Sequence, residues 1–124
     1  MRRWKTVSIV GVGLIGASIG QAVLRRGLAD EVIGIARRQT TLRAARRVGA
    51  VSHTTIDLDR GVAQADLIIV CTPVGTIPDL VRRVAEACPE RALISDVGSA
   101  KGQIVAALDE GLPRGCRFLG AHPL

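Results

Sequence analysis

Aromatic residues are scarce in this chain, which has one Phe, one Trp and no Tyr among 124 residues. Val, Ile, Leu and Ala supply most of its hydrophobic side chains, and such residues suit a parallel sheet that is buried on both faces. So few aromatic rings leave little for the base stacking that single-stranded nucleic acids require. The composition therefore favours an α/β protein, and the length is that of one domain.

Cysteines and long apolar runs are also few. The three cysteines are widely spaced and form no CxxC pair, so we expect neither a zinc site nor a disulfide framework, and no metal. Cys71 lies within an apolar run and is predicted to be a small core residue. No run approaches the ~18–20 residues that cross a bilayer, and the first residues lack a signal-peptide pattern. We expect a reduced, cytoplasmic protein with no membrane partner.

Acidic residues are outnumbered, with 11 against 17 Lys and Arg and a net charge of +6. Such a balance raises the possibility of nucleic-acid binding. The basic residues are scattered, however, and form no long run. Ten of the arginines occur in five adjacent pairs, at 2–3, 25–26, 37–38, 46–47 and 82–83. We interpret these pairs as solvated helix faces and expect no nucleic-acid partner, with Arg37 and Arg38 as an exception.

Hydrophobic periodicity predicts strands that alternate with helices along the whole chain. The predicted strands are 6–10, 31–36, 51–52, 66–72, 92–96 and 117–119. The predicted helices are 14–27, with Gly27 as C-cap, 40–48, capped by Thr40 or Thr41, 58–64, 77–88 and 101–110. His53 follows the minimal third strand, has no partner in the sequence and is interpreted as incidental. This alternation predicts a single Rossmann-type domain over residues 1–124, with a doubly wound, mainly parallel sheet.

A glycine motif follows the first predicted strand and opens the first predicted helix. The residues Gly11, Gly13, Leu14, Ile15 and Gly16 form a GxGxxG loop, which in this context is typical of dinucleotide binding. The first glycine permits a tight turn, the second lets backbone N–H groups approach a pyrophosphate, and the third lets the helix pack on the strand. The alternative is a glycine-rich turn that binds no ligand.

The residues after the second predicted strand bear on which dinucleotide binds. NAD-binding domains usually carry Asp or Glu there for the ribose 2′-hydroxyl, but this chain has Ala36, followed by Arg37, Arg38 and Thr40. A guanidinium binds a 2′-phosphate bidentately, and a threonine hydroxyl adds a donor. We therefore expect NADP as the cofactor, with NAD as the alternative.

Three further loops follow predicted strands, at the edge where parallel sheets bind ligands. They contain Thr72 and Pro73, which we assign to the cofactor site, the segment 95–101 (SDVGSAK), and the segment 120–123 (GAHP). Together with the glycine loop, these segments resemble the prephenate/arogenate dehydrogenase family over essentially the whole chain. Residues 34–41 are most similar to NADP-using, arogenate-preferring members, whereas NAD-using members more often have Asp in place of Ala36.

The resemblance implies an oxidoreductase of tyrosine biosynthesis, which transfers a hydride from prephenate or arogenate to the nicotinamide with loss of CO2. His122 matches the family's catalytic histidine, which draws a proton from the ring hydroxyl. Ser99 matches the serine that holds this histidine, the substrate and the nicotinamide in register. The alternatives are a surface histidine at 122 and a helix N-cap at Ser99.

The family also has a helical carboxyl-terminal domain that forms a homodimer and contacts the substrate, and none of it follows Leu124. We therefore expect a fragment that binds the cofactor and has little activity alone. Rival interpretations are another Rossmann dehydrogenase, of the β-hydroxyacid or imino-acid type, or a non-enzymatic nucleotide-sensing domain. The sequence does not distinguish prephenate from arogenate.

Overall fold

A computed structural model describes residues 4–72, 77–97 and 115–120. Pro73, Ser99, His122 and the predicted helix 101–110 lie outside these residues. The strands are β1 (Trp4–Val10), β2 (Ala29–Ile35), β3 (His53–Thr55), β4 (Leu67–Val70), β5 (Leu93–Asp96) and β6 (Arg117–Gly120). The helices are α1 (Leu14–Arg25), α2 (Gln39–Arg47), α3 (Leu58–Val62) and α4 (Ile77–Ala87).

All six strands are parallel and form one sheet in the order β3-β2-β1-β4-β5-β6. This order is that of a doubly wound Rossmann sheet. The sequence order of the strands reverses between β1 and β4, and Rossmann sheets bind their ligands at that point. The predicted fold class is therefore confirmed.

A hydrophobic core lies on each face of the sheet. Val7, Ile9 and Val32 pack with α1 and α2 on one face, and all three are fully buried. On the other face, Ile68 and Val70 are covered by α3 and α4. Aliphatic residues thus fill both cores, as the composition predicts for a sheet buried on both sides.

The sequence predicts Gly27 as the C-cap of α1, but the helix ends at Arg25, Arg26 is the C-cap and Gly27 is the next residue. Gly27 has φ +63°, and its N–H donates to the carbonyl of Leu24 at 3.2 Å. The N–H of Leu28 donates to the carbonyl of Val23 at 2.9 Å. These two bonds form a Schellman motif, which satisfies carbonyls that the helix itself leaves unpaired.

Two local predictions around β3 are wrong. The strand comprises His53–Thr55 and not residues 51–52. Ser52 instead precedes the strand and ties it to β2, since its Oγ accepts a hydrogen bond from the N–H of Val32 at 2.8 Å. His53 also has a partner, because its Nε2 lies 3.6 Å from Oε1 of Glu31 on the neighbouring strand.

The predicted threonine cap of α2 is also wrong. The helix begins at Gln39, and Arg38 occupies the N-cap position with extended backbone angles and no side-chain capping bond. Its carbonyl accepts the N–H of Leu42 at 3.3 Å. Thr40 and Thr41 therefore lie in the first turn of the helix.

The three cysteines form no disulfide. Cys88 and Cys116 are buried in the same core, with their Sγ atoms 3.5 Å apart, so they pack as small apolar residues. Cys71 is half-buried against the other core. No helix within the described ranges has both the length and the apolar character that a membrane span needs.

Candidate functional site

The glycine loop joins β1 to α1 at the carboxyl edge of the sheet. Gly11 has φ +94°, a backbone region that L side chains rarely adopt, and its N–H donates to the carbonyl of Ile35 at 2.8 Å. A Cβ at Gly16 would collide with the carbonyl oxygen of Gly11 and lie 3.2 Å from Cγ2 of Ile9. The first glycine thus makes the turn and the third lets α1 approach β1, as the sequence predicts.

The amino terminus of α1 is left open toward solvent. Gly13 is its N-cap, makes no side-chain capping bond, and no acidic residue occupies the first turn. A Cβ at Gly13 would meet no atom within 4 Å. The positive end of the helix dipole therefore faces free space beside the glycine loop, an arrangement that suits an anion such as a pyrophosphate.

A cavity of about 430 Å³ lies beside this loop, at the carboxyl ends of β1 and β2. Its size is within the range of small-molecule sites. Five different segments contribute to it: the end of β1 with the glycine loop, the end of β2 with the start of α2, the start of α3, the residue Thr72 after β4, and α4. Its lining comprises Val10, Gly11, Val12, Gly13, Ile35, Ala36, Arg37, Thr41, Leu58, Thr72, Leu80 and Arg83.

The cavity combines an apolar lining with two arginines. Val10, Ile35 and Leu58 belong to the core beneath α3 and α4, so the cavity continues the surface of that core. Arg37, which follows β2, and Arg83, which lies on α4, both line the cavity. Such a cleft suits a flat, apolar ring system that carries negatively charged groups.

Several residues predicted for the cofactor site meet in this cavity. Gly11, Gly13, Arg37 and Thr72 are all among its lining residues. Thr41 also lines the cavity, whereas Thr40 is exposed and does not.

Other predicted site residues do not line the cavity or lie outside the described residues. Gly16, Leu14 and Ile15 form the first turn of α1, and Leu14 is 88% exposed. Arg38 is exposed and outside the cavity lining. Pro73, Ser99 and His122 fall outside the described residues.

The sequence did not indicate Leu58, Leu80 and Arg83 as residues of the site. They belong to no motif, and they reach the cavity because α3 and α4 pack around it. Leu80 and Arg83 are three positions apart and so share one face of α4. Only that spacing, combined with knowledge of the sheet order, could have indicated them.

Cys71 and Asp96 lie at the ends of neighbouring strands, β4 and β5. Asp96 is fully buried. Burial, and to a smaller extent the charge of Asp96, raises the pKa of the Cys71 thiol to about 12. The thiol is therefore protonated at neutral pH and is not a nucleophile there.

Metal-ligating side chains do not cluster in the part of the chain that the structure describes. No group of three or more His, Cys, Asp or Glu residues within it could hold a metal ion. The glycine loop, the open helix end and the arginine-containing cavity are the features on which a function can be argued.

The family described as "Prephenate dehydrogenase, nucleotide-binding domain" matches residues 19–124. The prephenate dehydrogenase of Bacillus subtilis (strain 168) is 32% identical over 120 residues, which are 96% of this chain and 32% of that protein.

Solved structures of similar proteins have the same fold. The prephenate dehydrogenase of A. aeolicus, crystallised with hydroxyphenyl propionate and NAD+, superposes with a TM-score of 0.85 at 27% identity, over 97% of this chain and 42% of that one. The arogenate dehydrogenase of Synechocystis gives a TM-score of 0.83 at 32% identity, over 95% of this chain and 40% of that one. The chain thus spans 32% to 42% of the length of these relatives.

Proposed function

The chain belongs to the family of prephenate dehydrogenase nucleotide-binding domains, and from this membership we propose that it binds NADP(H), with NAD(H) as the weaker ligand. We further propose that it serves an oxidative decarboxylation of prephenate or arogenate. The prephenate dehydrogenase of Bacillus subtilis is about three times as long as this chain. The proposal therefore has two parts. The narrower part is that these 124 residues bind the cofactor, and the broader part is the reaction of a whole enzyme.

One observation carries the narrower part, namely the cavity between the glycine loop and Arg37. The open amino terminus of α1 supports binding of the pyrophosphate, since Gly13 presents no side chain there. Leu58 and Leu80 offer an apolar surface for the adenine ring. The residues present therefore fit a dinucleotide in both charge and polarity.

The choice of NADP rests on the end of β2. Ala36 and Arg37 both line the cavity, so the described residues at the end of β2 offer a guanidinium, and no carboxylate, to an adenosine ribose bound there. Thr41, in the first turn of α2, adds a hydroxyl to the same part of the cavity. A cationic, hydrogen-bonding wall favours the 2′-phosphate of NADP over the 2′-hydroxyl of NAD.

A titration of NADP+ and NAD+ against the purified chain tests this choice. We expect Arg37→Ala to weaken NADP+ binding by about 10- to 100-fold, which corresponds to one or two charge-assisted hydrogen bonds. Binding of NAD+ should change little. Arg43→Ala, which removes an exposed arginine of α2 outside the cavity lining, is the matched control. Tighter binding of NAD+ that is indifferent to Arg37→Ala would contradict the preference.

The proposed chemistry uses a bound nicotinamide as the hydride acceptor. We assign His122 as the group that draws the proton from the substrate's ring hydroxyl, because a neutral imidazole can act as a general base. We assign Ser99 to holding this histidine and the substrate in register. The chain leaves β5 at Asp96 and β6 at Gly120, and these residues are partners in the sheet. Ser99 and His122 follow them by three and two positions.

A dehydrogenase assay tests the assignment of His122. The assay uses the full-length protein that the coding sequence specifies. His122→Asn should lower kcat by orders of magnitude with either prephenate or arogenate, because the base is lost. The affinity for NADP+ should persist, since the cofactor residues are untouched. Unchanged turnover in this variant would remove His122 from the mechanism.

A further inference from the structure

Among the described residues, Arg37 and Arg83 are the arginines that line the cavity, and neither the glycine motif nor the end of β2 accounts for Arg83. It lies on α4, one turn after Leu80, and both side chains line the cavity. The adjacent Arg82 does not line it, and its NH1 lies 3.9 Å from Oδ1 of Asp79 on the same helix. Two successive arginines of α4 thus have different surroundings, although the sequence suggested one solvated pair.

Arg83 forms an ion pair with an acidic residue of another helix. Its Nε lies 3.8 Å from Oδ1 of Asp59, the second residue of α3. Both side chains are more than half exposed, so this pair adds under about 1 kcal/mol to stability. Its consequence is orientation, because Asp59 ties the guanidinium to α3 beside Leu58, another lining residue.

The sheet order places Arg83 and Arg37 on different sides of the cavity. Arg37 follows β2, which lies on one side of β1, whereas α4 follows β4, which lies on the other side. Leu58 and Leu80 also line the cavity, and their side chains offer no hydrogen-bonding group. A planar aromatic ring placed against these leucines would have a guanidinium available from α4, and such a group stacks on aromatic faces.

We propose that Arg83, positioned by Asp59, forms a wall of the adenine subsite and stacks on the adenine ring. This inference rests on the proposed function, and it assigns Arg83 a task different from that of Arg37. Arg37 reads the 2′-phosphate, which only NADP carries. Arg83 contacts the adenine, which NADP and NAD share, and therefore contributes to affinity without discriminating between them.

Titrations of NADP+ and NAD+ against four variants of the chain test this assignment. Arg83→Ala should weaken both nucleotides by the same factor, about 3- to 30-fold for a partly desolvated cation–π contact. Arg83→Lys should recover little, because an ammonium lacks the planar surface. Asp59→Asn should cause a smaller loss for both nucleotides. Arg82→Ala, the matched control on the same helix, should bind both as the wild-type chain does.

Each contrary result has its own meaning. Equal affinities for Arg83→Ala and Arg82→Ala would overturn the inference, as would full recovery by Arg83→Lys. A loss confined to NADP+ would also overturn it, because Arg83 would then contact the 2′-phosphate. If the wild-type chain bound neither nucleotide, the proposed function itself would fail. Circular dichroism of every variant separates a lost contact from a lost fold.

Discussion

At the scale of single residues, the three glycines of the loop have separate physical tasks. Gly11 adopts a positive φ, Gly13 leaves space for a ligand, and Gly16 permits the contact between α1 and β1. Only the second of these tasks concerns the ligand directly. Stability and nucleotide binding should therefore respond differently to substitution at Gly13 and at Gly16.

Replacing Gly16 by alanine should destabilise the fold, because the new Cβ would overlap the carbonyl oxygen of Gly11, a backbone atom that cannot move aside easily. We expect a loss of about 1–3 kcal/mol in the free energy of unfolding, typical of overpacking. Gly13→Ala should stay within about 1 kcal/mol of wild type, as an N-cap change in open space. It should nevertheless weaken NADP+ binding strongly.

Denaturant unfolding and nucleotide titration of these two variants check the prediction. Equal losses of stability at both positions would show that Gly13 also packs against the fold. An unchanged nucleotide affinity in Gly13→Ala would show that no pyrophosphate approaches this residue.

At the scale of elements, α2 is attached to the sheet by few side chains. Leu42 and Ala45 are its buried residues, and Leu42 is 1% exposed. Apart from the exposed Ala44, the rest of the helix is polar and rich in arginine. Because Thr41 precedes Leu42 directly, this attachment also positions one wall of the cavity.

Leu42→Ala should therefore lower the free energy of unfolding by about 2–5 kcal/mol, as is usual for truncation of a buried leucine. Val48→Ala, at the C-cap of the same helix and 50% exposed, should change it by only about 0.5 kcal/mol. Thermal or urea denaturation of both variants measures the difference. A loss at Leu42 no larger than that at Val48 would mean that α2 is not held in this way.

The elements of this fold could be predicted where they are long and apolar. Runs such as Val7 to Val10 and Leu67 to Val70 have one interpretation, a buried strand, and both predictions were confirmed. The third strand was misplaced because His53–Thr55 is a short, polar edge strand whose pairing with β2 leaves no hydrophobic pattern. The start of α2 was misplaced because no side chain caps it, so a search for capping residues pointed to the threonines.

The same limit applies to the candidate site. Residues of the glycine loop and Arg37 could be predicted, because their spacing along the chain fixes their place at the end of a strand. Leu58, Leu80 and Arg83 could not, since they reach the cavity only through the packing of α3 and α4 on the sheet. In the sequence, Arg83 resembles any other member of an arginine pair.

At the scale of the whole molecule, the two edges of the sheet differ. The carboxyl edge carries the glycine loop, the cavity and both lining arginines. At the amino edge, the carboxylate of Asp66 accepts the N–H groups of Lys5 and Thr6 at 3.2 and 2.9 Å, which ties β1 to the start of β4. Open α/β sheets bind their ligands at the carboxyl edge, and the contacts of Asp66 at the amino edge stabilise the fold.

A backbone amide NMR titration of the chain with NADP+ tests the central claim most directly, because it locates the ligand. We predict saturable shifts at Gly11, Gly13, Arg37, Thr41 and Thr72, together with Arg83 if the adenine assignment holds. The amides of Lys5, Thr6 and Asp66 at the opposite edge should remain unchanged. Saturable shifts centred on the amino edge, or no shifts at the glycine loop at millimolar NADP+ and NAD+, would contradict the account.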